Sequence, residues 1–89
     1  MTDSLDDLLE FPTSYSIRII GMMHDDFEDQ VFSIVSKHVS GLEKGMVKRR
    51  PSKGGKYVSV MITFIAESRP QLDMIYKDLN DQEDVLMLL

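Results

Sequence analysis

Between Lys48 and Lys56 the chain reads KRRPSKGGK, five cations and two adjacent glycines in nine residues. Ammonium and guanidinium groups at that density can gather around an anion. Glycines let backbone N–H groups approach the same point. Lys48, Arg49, Arg50, Lys53 and Lys56 are therefore the candidate anion- or partner-binding residues. The run is not a Walker-type phosphate loop, because the GxxxxGK[ST] spacing is missing and the glycines lead into a strand. The same charges could also do plainer work, guarding a sheet edge against another strand.

No other residues assemble into recognisable chemistry. His24 and His38 show neither HxxxH nor HExxH spacing, and the chain has no cysteine to complete a metal site. Serines are present without a nucleophile-elbow signature. Asp25, Asp26, Glu28 and Asp29 cluster where a helix N-terminus favours acids. No catalytic residue, cofactor or metal ligand is expected, and the chain does not read as an enzyme. Its seven methionines suit core filling, or a pliable binding surface.

The elements that must position the basic run begin with the strand directly after it. From Tyr57 to Ala66, Val58, Val60, Ile62, Phe64 and Ala66 alternate with Ser59, Met61, Thr63 and Ile65, the period of a two-faced strand. Tyr15–Ile20 repeats the pattern, closed by Gly21. A helix opens at Asp25, with Glu28 in a capping-box position; Phe27, Val31, Ile34, Val35 and His38 share one face and Gly41 follows its end. Gly45–Arg50 reads as a charged edge strand ended by Pro51. A second helix is capped by Ser68 and Gln71, with Pro70 in its first turn and Leu72, Ile75, Tyr76 and Leu79 inward. Val85–Leu89 is the last strand.

The resulting order, β-α-β-β-α-β, predicts an α+β ferredoxin-like fold: a four-stranded antiparallel sheet with two helices on one face. Residues 15–89 form this single domain. Residues 1–14 are an appendage in which Ser4–Leu9 makes a short helical turn, with Leu5, Leu8 and Leu9 on one side. If the valines of the strong strand face the helices, the other sheet face carries Ile20, Tyr57, Met61, Ile65, Leu86 and Leu88, interrupted by Ser16, Arg18, Ser59 and Thr63. Large apolar residues on an open face point to an interface, with a second copy or with a different protein.

Charge is unevenly spread. Residues 37–56 hold seven bases and one acid, whereas the remainder holds three bases and fourteen acids, for a net charge of −5. An acidic total disfavours sequence-independent nucleic-acid binding. The aromatic platform on which RNA-binding sheets stack bases is also largely missing. The start of the chain has no basic flank leading into an apolar run, and no stretch is long enough to cross a bilayer. With no cysteines, the expected setting is the cytoplasm.

Several short anchors carry a family resemblance. Leu8-Leu9-Glu10-Phe11-Pro12, a strand ending Ile19-Ile20-Gly21, and Pro51-Ser52 with Gly55 before Tyr57 and Ser59-Val60 together resemble the small bacterial YbeD-like family of unknown function. The match runs over nearly the whole chain. The resemblance implies a fold similar to ACT regulatory domains, which bind small molecules and often pair through their sheets. It implies no activity. On this reading the protein is a non-enzymatic regulatory or binding module, acting through a protein partner or a small ligand. A small-ligand module predicts a pocket near Gly21–His24 or between paired sheets. The alternative is an anion or nucleic-acid binder that uses residues 48–56.

Overall fold

The computed structural model describes residues 10–89. The expected helical turn at Ser4–Leu9 lies outside the described residues. Four strands and two helices follow in the order β1 (Thr13–Met22), α1 (Phe27–Ser36), β2 (Val47–Pro51), β3 (Tyr57–Ala66), α2 (Arg69–Asn80) and β4 (Val85–Leu88), with one 3-10 turn at Lys44–Met46. The sheet runs β2-β3-β1-β4 and every neighbouring pair is antiparallel. This is the ferredoxin-like arrangement that the element order predicts.

Alternation in β3 does most of the organising. Val58, Val60, Ile62, Phe64 and Ala66 are at most 3% exposed, whereas Ile65 on the other face is 56% exposed. Its register with β1 is unbroken from Thr13 opposite Ala66 to Met22 opposite Tyr57. Ile17 and Ile19 therefore join the same inner face. Both helices lay their apolar stripes on it: Phe27, Val31, Ile34 and Val35 from α1, and Leu72, Ile75 and Leu79 from α2. No polar or charged residue is buried in this core among the described residues. At about 1.5–3 kcal/mol for each large side chain removed from water, this core is the main favourable term for so small a chain.

The helix ends show which local expectations hold. Ser68 caps α2, its Oγ accepting the Gln71 N–H at 3.3 Å, with Pro70 in the first turn. The Gln71 side chain reaches back to accept the Glu67 N–H at 2.7 Å, and its amide donates to the His38 carbonyl at 2.8 Å. At α1 the expected Asp25–Glu28 capping box is not formed. The helix starts two residues later, with Asp26 at the N-cap and no side-chain cap bond. It also ends at Ser36, before Gly41, whose φ of 73° serves the turn beyond. Without a side chain to close the first turn, the acidic residues there favour the helix N-terminus through its dipole, and Asp29 also accepts a hydrogen bond from Lys44 Nζ at 2.8 Å.

The strand ends differ as well. β1 runs from Thr13 rather than Tyr15 and continues through Gly21 to Met22. β2 begins at Val47 because Lys44–Met46 curls into the 3-10 turn, and Pro51 is its last paired residue, opposite Val58. Among the described residues β4 pairs only with β1, and a register shift between Ile20 and Gly21 sets its phase.

Candidate functional site

The sheet face away from the helices is built from adjacent cross-strand rows. In one row Lys48, Met61 and Arg18 stand side by side on β2, β3 and β1; in the next stand Arg50, Ser59 and Ile20. Strands lie about 4.8 Å apart and alternate residues about 6.7 Å apart along a strand. Three cationic side chains therefore rise within reach of one another. They line a shallow depression of about 430 Å³ together with Arg49, Ile20, Ser59 and Met61.

None of Arg18, Lys48 and Arg50 has an ion-pair partner among the described residues. No carboxylate side chain occupies a paired outward position on β1, β2 or β3. Two like charges about 7 Å apart repel by roughly 0.6 kcal/mol in water-like surroundings, and among the described residues no carboxylate side chain on β1, β2 or β3 offsets that. An anion placed over Met61 and Ser59 would. Met61 and Ile20 are half-buried and supply an apolar floor, and the Ser59 hydroxyl is a donor at its centre.

The structure divides the basic run that the sequence presents as one. Lys48 and Arg50 face the depression. Arg49 borders the depression too, but it pairs opposite the buried Val60 and its guanidinium turns to the helix side, with Nη2 3.1 Å from Met23 Sδ. Lys53 and Lys56 are exposed in the hairpin turn. That turn is closed by Gly55 N–H donating to the Ser52 carbonyl at 3.0 Å, with Gly55 at a φ of 73°. Arg18, which completes the cluster, is one polar residue in an alternating strand; only the β1–β3 and β2–β3 registers bring it to Lys48.

Of the apolar residues expected on this face, Tyr57 and Ile65 are exposed, at 42% and 56%, and Ile20 and Met61 are half-buried. Leu88 is a correction. It pairs with Ile19 and packs against the core, so it points toward the helices. Met87, opposite Ile20, takes the outward place and is 52% exposed. Leu86 is equally exposed, at the register shift. Counting alternate residues from Leu86 assigns the wrong face to Leu88 because the shift changes the phase. Met22, opposite Tyr57, and Leu89, joined to Arg18 by two backbone hydrogen bonds of 3.0 and 2.8 Å, extend the open face.

The corner near Gly21–His24, where a ligand pocket is one expectation, is filled by the chain itself. A side chain at Gly21 would meet Phe27 Cζ at 2.3 Å and the Asp84 carbonyl at 2.5 Å. The His24 ring stands edge-on to Phe27 at 5.6 Å. Its Nε2 is 3.0 Å from Asp84 Oδ2, near enough for an ion pair but outside hydrogen-bond geometry. His38 is separate, with Nε2 2.6 Å from Asp78 Oδ2, joining the turn after α1 to α2. That hydrogen bond holds the Asp78 carboxyl below the usual carboxylate range, with help from the charges of His38, Lys77 and Lys37. The Tyr15 and Tyr76 hydroxyls meet at 3.1 Å; burial, then the Tyr15 bond, pushes the Tyr76 hydroxyl well above the ordinary tyrosine range.

Comparison with known proteins adds a family and a fold. The family model described as "Protein of unknown function (DUF493)" matches residues 6–89. The UPF0250 protein of Janthinobacterium sp. (strain Marseille) is 33% identical over 87 residues, 98% of this chain and 96% of that one. The UPF0250 protein of Erwinia tasmaniensis is 38% identical over 89 residues, the whole of both chains. Among solved structures, protein HP0495 from H. pylori superposes with a TM-score of 0.69 at 14% identity, over 91% of this chain and 85% of that one. The ACT domain from GTP pyrophosphokinase of Chlorobium tepidum gives 0.68 at 13% identity, over 85% and 94%. The structural likenesses establish the fold, and they agree with the YbeD-like, ACT-like resemblance in the sequence.

Proposed function

We propose, from the premise that this chain belongs to the DUF493 family of proteins of unknown function and has an ACT-like fold, that it is a non-enzymatic regulatory module. It works by binding an anionic ligand or partner on the open face of its sheet. The observation that carries this reading is the set of three cations, Arg18, Lys48 and Arg50, that have no ion-pair partner among the described residues and stand around an apolar floor with no carboxylate side chain among those residues. A face that pays for like-charge repulsion without internal relief is arranged for charge supplied from outside. Cytoplasmic action belongs to the same proposal; among the described residues no helix is long and apolar enough to cross a membrane.

The test is titration of isotope-labelled protein with anionic probes: inorganic phosphate, succinate and a glutamate-rich peptide. At least one should shift the backbone resonances of Arg18, Ser59 and Met61 together, and added salt should weaken it. Probes that all leave those resonances in place, or shift only the Lys53–Lys56 turn, overturn the reading.

A second reading, pairing of two copies through the sheet, is favoured by the exposed Met22, Tyr57, Ile65, Met87 and Leu89. Sedimentation equilibrium decides it: a single monomeric species up to millimolar concentration removes the homodimer.

A further inference from the structure

We propose that the depression framed by Lys48, Met61 and Arg18 in one row and Arg50, Ser59 and Ile20 in the next is a site for a small phosphate monoester with an apolar body. This rests on the reading of the sheet face as anion-recognising and names the anion. Three cations approach from two sides: Lys48 and Arg50 from the edge strand, Arg18 from across β3. A carboxylate has two oxygens and one charge. A phosphate monoester offers three strong acceptor oxygens and nearly two charges at neutral pH, so each cation gains an oxygen of its own. The Ser59 hydroxyl, between Arg50 and Ile20, can donate to the bridging ester oxygen.

The rest of the ligand follows from the floor. Ile20 and Met61 are half-buried apolar side chains inside the ring of charge, so the organic part of the ester lies on them. A volume of about 430 Å³ falls at the lower end of small-molecule sites. A net charge of −5 over the whole molecule works against long polyanions, which would run past the local cations into acidic surface. A compact dianion meets the cations alone.

The experiment is isothermal titration of the full chain with phenyl phosphate, inorganic phosphate, succinate and a phosphoserine peptide. Phenyl phosphate should bind more tightly than inorganic phosphate or succinate. Arg18→Gln, Lys48→Gln and Arg50→Gln should each weaken it by about tenfold, the loss of one charge-assisted hydrogen bond. Lys53→Gln and Lys56→Gln, both in the hairpin turn, should change it by less than about twofold, well under that loss. All five positions are exposed, and a melting curve of each variant is to check that it is folded. Equal losses from Lys53→Gln and Arg50→Gln would overturn the site. A phosphoserine peptide binding over tenfold tighter than phenyl phosphate would overturn its small-molecule character. If succinate binds at Arg18, Ser59 and Met61 and phenyl phosphate does not, the phosphate assignment falls while the anion-recognising face stands. If no anion binds there, both fall.

Discussion

Adding one methyl group at Gly21 tests the corner where β1 hands the chain to α1. The new Cβ would stand 2.3 Å from Phe27 Cζ, 2.4 Å from Phe27 Cε1 and 2.5 Å from the Asp84 carbonyl oxygen. Carbon atoms rest about 3.5–4.0 Å apart, so the ring would have to retreat by more than about 1 Å. Phe27 is 0% exposed and fixed in the core. The Asp84 carbonyl accepts the Met22 N–H at 3.0 Å, so moving it loosens β4 from β1. Gly21→Ala should therefore cost about 2–3 kcal/mol, the upper part of the range for overpacked cores. With a urea m-value of about 1.5 kcal/mol per molar, the unfolding midpoint should fall by roughly 1.3–2 M. Phe27→Leu removes the ring atoms in the way. The double variant should be more stable than the summed single effects by about 1 kcal/mol, yet still below the parent because the carbonyl remains. A Gly21→Ala protein within about 0.5 kcal/mol of the parent, or a strictly additive double variant, refutes the reasoning.

Asp78, with its carboxyl held below the usual range by His38, contributes stability above the unfolded carboxylate pKa and loses it as pH falls through its folded value. Asp78→Asn should therefore lower stability at neutral pH and flatten the acid limb of a melting-temperature profile; a parallel shift at all pH values counts against the pair. Ser68→Ala should cost about 1 kcal/mol in urea unfolding, since it removes the side chain that caps α2. Ile65→Glu, on the open face, should change stability by less than about 0.5 kcal/mol while abolishing any dimer seen by sedimentation; a dimer that survives it forms elsewhere.

How much was legible in the sequence depends on how local the signal is. The alternation of β3 and the stripes of α1 and α2 are written in consecutive residues, and the α2 cap is a four-residue pattern; these set the fold. Lys48 and Arg50 are visible as part of a basic run, but the pleat sends Arg49 to the other side of the same strand. Arg18 looks like an ordinary polar residue between Ile17 and Ile19, because its neighbours on the face come from segments 30 and 43 positions later, Lys48 and Met61. The one available signal is that Arg18 has the outward phase on a central strand. Leu88 and Met87 exchange faces through a register shift that belongs to the β1–β4 pairing, not to the β4 sequence. The filled Gly21 corner depends on a ring six residues away turning back on the strand.

The two margins of the sheet are chemically opposite. β2 presents Lys48, Arg49 and Arg50 and finishes in Pro51, which has no N–H to give, so an added strand finds repulsion and a missing donor there. β4 is Val-Leu-Met-Leu, uncharged, with no strand on its outer side among the described residues. Such a sheet can lengthen on one flank only. When two copies meet flank to flank through β4, each turns its charged margin outward, and growth ends at the pair. The proline and cations of one short strand thus close the route by which an exposed apolar edge would seed a fibre.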